Sequence, residues 1–135
     1  MSKPRIIEFP KIFDPRGNLS VIENGDSRLP FDMERCYWIY DVPGGEFRHG
    51  HAFRSQEQVI VAMAGSFDVV VDNGDGPVRH HLARSYYGLY IPPMTWRSIE
   101  NFSTCSVAMI ISSTLYDEAD YIDDYEQFKL LADHE

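Results

Sequence analysis

Apolar residues fall in short runs along the chain: "CYWIYDV" (36–42), "QVIVAMAG" (58–65), "SFDVVVDNG" (66–74), "YYGLYIP" (86–92) and "CSVAMIISS" (105–113). They are rich in β-branched and aromatic residues, and turn-forming residues lie at or near their ends. Such runs predict strands, and their spacing is that of an all-β sandwich or barrel. "SFDVVVDNGDGP" predicts a hairpin, because Asn, Gly and Asp tolerate the positive φ of a tight turn. "HHLA" is placed at the start of its return strand. Residues 52–59 ("AFRSQEQV") are taken to carry no turn residue and lead directly into the next apolar run, so 51–64 is read as largely extended. After Asp117 the pattern changes: Tyr121, Ile122, Tyr125, Phe128 and Leu131 lie near a helical stripe, with acidic residues toward its start. The expectation is one domain over residues 1–135, built of strands, with a short C-terminal helix.

Composition narrows the partners. A net charge of −9 over 135 residues argues against nucleic acid and anionic membranes. It leaves room for a local cationic pocket that takes a small anion. "MSKPRIIEFPKIFDPRGN" has no apolar core of a secretion signal, and no stretch approaches a membrane span. Cys36 and Cys105 are read as reduced, buried thiols, and the compartment as cytoplasm.

Candidate chemistry gathers at two places. In "GEFRHGHAFRSQEQVIVAMAG", Gly45, His51, Phe53, Glu57 and Gly65 resemble the first motif of the cupin superfamily, with Phe53 where a second histidine belongs and one extra residue before Gly65. In "PPMTWRSIEN", Pro92, Met94, Arg97 and Asn101 take the places of the second motif, with Arg97 where its metal-binding histidine belongs. Residues two apart on a strand face one side, so the first motif aims side chains into a barrel. Arginine stays charged and does not ligate a cation. His51 and Glu57 alone fall short of the three ligands of an open metal site, so no metal is expected. His49 shares a face with His51 only if Gly50 does not bulge the strand. An imidazole that titrates near neutrality beside guanidinium groups suits proton transfer next to a carbonyl on a phosphorylated substrate. His80 and His81 are read as solvated, and Tyr37, Trp38 and Tyr40 as core aromatics in the first instance.

Over nearly its whole length the chain resembles the nucleotide-sugar 3,4-ketoisomerases, RmlC-like cupins also found as a domain of WxcM-type proteins. The resemblance is carried by "FDPRGNLSVIE", "PFDMERCYWIYDVPGG", "RHGHAF", "QEQVIVAMAGSFDVVVDNG", "GLYIPPMTWRSIENFS" and "SSTLYDEADYIDDYEQF". It implies a cupin-like (RmlC-like jelly-roll) barrel, no cofactor, and an enediol(ate) route. That route moves the keto group of dTDP-4-keto-6-deoxy-D-glucose from C4 to C3, for deoxyamino sugars of bacterial surface polysaccharide. It implies a homodimer, with exchanged N-terminal strands as one arrangement. His51 is expected as the base, Arg16 and Arg97 at the sugar ring, and Tyr37 in the pocket. Arg48 is expected at the diphosphate, with His49, Phe53, Trp96 and Glu57 as further substrate contacts. Phe53 in place of the family's second histidine leaves three readings open. His51 makes both transfers, a tyrosine or His49 shares them, or catalysis is lost. A nucleotide-sugar 3,5-epimerase and a non-catalytic sugar-binding cupin are the alternatives.

Overall fold

The structure, a computed structural model, describes residues 3–133. The strands are β1 (Arg5–Glu8), β2 (Lys11–Ile12), β3 (Leu19–Ser20), β4 (Arg35–Ile39), β5 (Arg48–Phe53) and β6 (Gln58–Ala64). They continue as β7 (Phe67–Asp72), β8 (Pro77–Leu82), β9 (Tyr87–Ile91), β10 (Trp96–Glu100), β11 (Val107–Ser112) and β12 (Tyr121–Ile122), followed by helix α1 (Tyr125–Asp133). One five-stranded sheet runs β1-β9-β6-β11-β4 and the other β12-β5-β10-β7-β8, all antiparallel. The jelly roll expected from the sequence is thus present as two facing sheets rather than a closed barrel.

Alternation explains the layers. Ile60, Ala62, Leu89 and Ile110 of the first sheet meet Phe67, Val69, Leu82 and Ile99 of the second in the central core. The opposite residues of β6, Val59 and Val61, pack outward against Ile7, Phe9, Leu29 and Tyr90. Because both faces of β6 are covered, its sequence reads as an unbroken apolar run. On the outer face of the second sheet, Ala52, Ile122 and Phe128 form a smaller cluster with Trp96 and Tyr125.

Several expectations need correction. Residues 51–64 are not one extended piece: β5 lies in one sheet, β6 in the other, and residues 54–57 make the corner between them. The return strand of the hairpin begins at Pro77, before "HHLA"; Asp72 Oδ1 shapes the turn by accepting the N–H groups of Gly74 and Gly76. Tyr121 and Ile122 are not helical but pair with Phe53 and Ala52. The helix starts later, where Asp124 caps it by accepting the N–H of Glu126 at 3.0 Å. Trp38 and Tyr40 are each 60% exposed rather than core, and Cys36 and Cys105 are exposed free thiols. His81 is not simply solvated, since its Nδ1 lies 2.7 Å from Asp68 Oδ1.

Candidate active site

The register of β5 against β10 sets the site. Arg97 stands opposite His51, yet Ile99 stands opposite Arg48, so β5 holds one extra residue between them. That is a β-bulge, which re-aims side chains. Contrary to the expectation that a bulge would part His49 from His51, both border one pocket of about 510 Å³, and Arg48 joins them there with Arg35, Tyr37, Ile39, Phe47, Arg97 and Tyr121. Gly50 is required within this stretch, because a Cβ there would overlap the Trp96 indole.

His51 sits on the dry side of the pocket. Its Nε2 is buried with no hydrogen-bond partner. Its ring meets Phe53 edge-on at 5.0 Å and Tyr121 at 5.1 Å. Burial, then the positive charges of Arg97 and Arg48, push its pKa down to about 3. The imidazole is therefore neutral at pH 7, with a lone pair free to take a proton.

Arg97 is 2% exposed. It donates from Nε to Gln58 Oε1 at 3.1 Å and from Nη2 to Tyr37 Oη at 3.3 Å. Burial lowers its pKa, with Tyr37 opposing, but an arginine starts so high that it keeps its charge. Arg35 lies over the Tyr37 ring at 4.3 Å and the Tyr116 ring at 5.3 Å, with Nη1 buried and unpartnered. Burial raises the Tyr121 pKa, while its hydrogen bond to Arg35 opposes that shift. Among the described residues, Arg35, Arg48 and Arg97 have no carboxylate ion-pair partner. A pocket with three unneutralised guanidiniums draws in a polyanion even though the whole chain is acidic.

Tyr37, Arg97, Arg48, His49 and His51 therefore meet in the pocket, as the sequence suggests. Phe53, 4% exposed, backs His51 rather than lining the cavity. Three expected contacts lie elsewhere. Glu57 faces the other side of its sheet and accepts the Tyr90 hydroxyl at 2.6 Å, because the corner before β6 turns its side chain away from the inward-facing Gln58. Trp96 points outward from β10 and packs on Tyr125 and Phe128, since alternation puts it opposite Arg97. Arg16 is 90% exposed and bound to Asp14 at 2.8 Å, outside the pocket of its own chain.

Sequence reasoning missed Arg35, Gln58 and Tyr121. Arg35 is two residues before Tyr37 on one strand, so face parity alone could have found it. Gln58 is a polar residue in phase with the inward-facing Ile60. Tyr121 was hidden by the helical reading. A larger depression of about 770 Å³, bordered by Phe9, Lys11, Leu19, Met63, Tyr86 and Met109, has no histidine or carboxylate in its lining, so the chemistry is assigned to the smaller pocket. Among the described residues, no three His, Cys, Asp or Glu side chains are grouped to hold a metal ion.

A jelly roll of this topology, aiming a neutral imidazole, a buried guanidinium and phenols into one pocket, defines a cupin-like protein equipped for acid–base chemistry, with no metal-ligand set among the described residues. The WxcM-like, C-terminal (FdtA) family model matches residues 2–133, and the chain belongs to that family. It is 40% identical over 125 residues, 93% of this chain and 89% of the relative, to the TDP-4-oxo-6-deoxy-alpha-D-glucose-3,4-oxoisomerase of Aneurinibacillus thermoaerophilus. A 3,4-ketoisomerase from Helicobacter canadensis superposes with a TM-score of 0.93 at 33% identity, covering 98% of this chain and 99% of that one. A histidine-to-asparagine variant of the 3,4-ketoisomerase QdtA from Thermoanaerobacterium thermosaccharolyticum, in complex with TDP-4-keto-6-deoxyglucose, gives 0.94 at 30% identity, covering 99% and 96%.

Proposed function

We propose that this chain, as a single domain, is a nucleotide-sugar 3,4-ketoisomerase. It moves the keto group of dTDP-4-keto-6-deoxy-D-glucose from C4 to C3 with neither metal nor organic cofactor, toward deoxyamino sugars of surface polysaccharide. The observation that carries the reading is His51: a buried, neutral imidazole beside a buried Arg97 in a cationic pocket. His51 removes the proton from C3, and the C3–H pair becomes the C3–C4 double bond of an enediol(ate). Arg97 and Tyr37 stabilise the charge that develops on O4. His51 then returns its proton to C4 while the hydrogen of O3 is transferred to O4, leaving the carbonyl at C3. One base shuttling between adjacent carbons acts on one face of the ring, so Phe53 need not be a histidine. Arg48 and Arg35 are suited to the diphosphate.

The exposed free thiols Cys36 and Cys105 fit a reducing, cytoplasmic setting. We also infer a homodimer. β4 is an edge strand, and Trp38, Tyr40 and Leu19 are more than half exposed, at 60%, 60% and 56%, a surface that a second copy would cover.

The test is incubation with dTDP-4-keto-6-deoxyglucose in deuterated water, followed by proton NMR. We expect a 3-keto product whose C4 carries mainly the hydrogen taken from C3, with deuterium there only to the extent that His51 exchanges with solvent between the two steps, and a loss of about 10²-fold or more in His51→Asn. Inversion at C3 and C5 without carbonyl movement would make the chain a 3,5-epimerase. TDP binding with neither product nor deuterium uptake would make it a binding protein.

A further inference from the structure

Behind the pocket runs a chain of buried polar groups whose donor–acceptor order is fixed from one end. Arg97 Nε can only donate, and it meets Gln58 Oε1 at 3.1 Å. That contact sets the Gln58 amide, whose nitrogen then donates to Tyr37 Oη at 3.2 Å and Gln56 Oε1 at 2.7 Å. Gln56 is set in turn, its Nε2 donating to Thr114 Oγ1 at 2.7 Å. Gln56 and Gln58 are 1% and 0% exposed, so solvent does not compete for these partners. Arg97 Nη2 is the second donor to Tyr37 Oη, at 3.3 Å. A phenol oxygen has two lone pairs and one hydrogen. With both lone pairs engaged by N–H donors, the hydrogen must point elsewhere, and Tyr37 borders the pocket.

We propose that Gln58 is a positioning residue that fixes the direction of the Tyr37 hydroxyl, so that its hydrogen is presented to the sugar oxygen that gains charge as C3–H breaks. The inference rests on the ketoisomerase reading and completes its proton balance. Tyr37 gives its proton to O4 as the C4=O pair moves onto that oxygen. The phenolate, held by the Gln58 and Arg97 N–H groups, then takes the O3 proton as the C3 carbonyl forms. His51 carries the carbon-bound proton, Tyr37 the oxygen-bound one, and both end as they began.

Gln58→Glu separates this role from packing. It keeps the shape and the acceptor for Arg97, but puts a carboxylate oxygen where the amide nitrogen stood, and the phenol hydrogen turns toward it. The experiment compares kcat and KM for wild type, Gln58→Glu, Tyr37→Phe and the double variant, with TDP binding by calorimetry as the control for folding. We expect Tyr37→Phe to cost about 10²-fold in kcat, Gln58→Glu about 10-fold or more, and KM to stay within about 2-fold. In the Tyr37→Phe background the Gln58 change should cost less than about 2-fold, since both act through one hydroxyl. An equal cost in both backgrounds would overturn the proposal. Gln58→Met serves the same cycle if the glutamate variant does not fold. A neutron structure of the wild type supplies a readout independent of turnover: deuterium on Tyr37 Oη should face the pocket. Deuterium lying between Oη and Gln58 would sink the proposal whether or not the chain turns over the sugar. Absent turnover with the deuterium facing the pocket would instead count against the ketoisomerase reading alone.

Discussion

His51 owes its character to what surrounds it rather than to its own chemistry. Phe53 and Tyr121 exclude water from one side, and Arg97 and Arg48 hold positive charge on the other, so both influences disfavour a second proton. The consequence for stability has a definite sign. Below pH 6.5 the histidine of an unfolded chain takes up a proton, whereas the folded ring resists until about 3. Between those values the unfolded state binds more protons, so stability falls as pH falls and carries no such cost above pH 6.5. We expect His51 to account for a loss on the order of 1–2 kcal/mol at pH 5. Thermal unfolding of wild type and His51→Asn between pH 7.5 and 5 checks this, with the wild type showing the larger drop. Activity should follow the same logic: kcat/KM holds flat through pH 6.5, because the free enzyme's base is already neutral there. An acid limb at 6.5 would mean that the ring is solvated. "RHGHAF" shows where the imidazole is, but its protonation state depends on residues up to seventy positions away and was not legible.

At the scale of elements, the corner joining β5 to β6 decides what β6 aims into the pocket. Asp120 holds it: Oδ1 accepts the N–H and hydroxyl of Ser55, each at 2.9 Å, and Oδ2 accepts the N–H of Gln56 at 3.0 Å. This explains why residues 51–64 read as continuous strand. The stretch contains no Gly or Pro because its turn is built by a carboxylate 65 residues along the chain from Ser55, and local pattern carries no trace of such a contact. The same interaction pulls the segment before α1 out of the helix its periodicity suggests, with Tyr121 and Ile122 recruited to the edge of β5. Strands β6, β7, β9 and β11 were legible because burial on one or both faces is written in their own residues. Asp120→Ala removes three hydrogen bonds and leaves the buried Gln56 N–H without its partner. We expect a destabilisation of about 2–4 kcal/mol by urea unfolding, together with a fall in kcat as Gln58 loses its alignment. Unchanged stability would show that the corner is held by other contacts.

For the whole molecule, the open matter is how Arg16 could reach a sugar. The resemblance places Arg16 of "FDPRGNLSVIE" at the sugar ring, but the structure puts this arginine in solvent, on a two-stranded hairpin of β2 and β3 that pairs with neither main sheet. An exposed Arg–Asp pair contributes little, and an isolated two-stranded ribbon is marginal in water. Phe13 beside it is 74% exposed and Leu19 56%, so the hairpin has the look of an arm without its seat. In the homodimer inferred above, that seat is the second copy, and Arg16 of one protomer would complete the pocket of the other. Subunit complementation tests this directly. Arg16→Ala and His51→Asn are each expected to be inactive or nearly so as pure dimers. In an exchanged equimolar mixture, half of the dimers pair the two variants, and each of those holds one pocket with both side chains intact. The mixture should therefore regain about a quarter of wild-type activity. Activity no greater than the sum of the two pure variants would confine Arg16 to its own chain or remove it from the reaction. A single sedimenting species of monomer mass would remove the dimer itself.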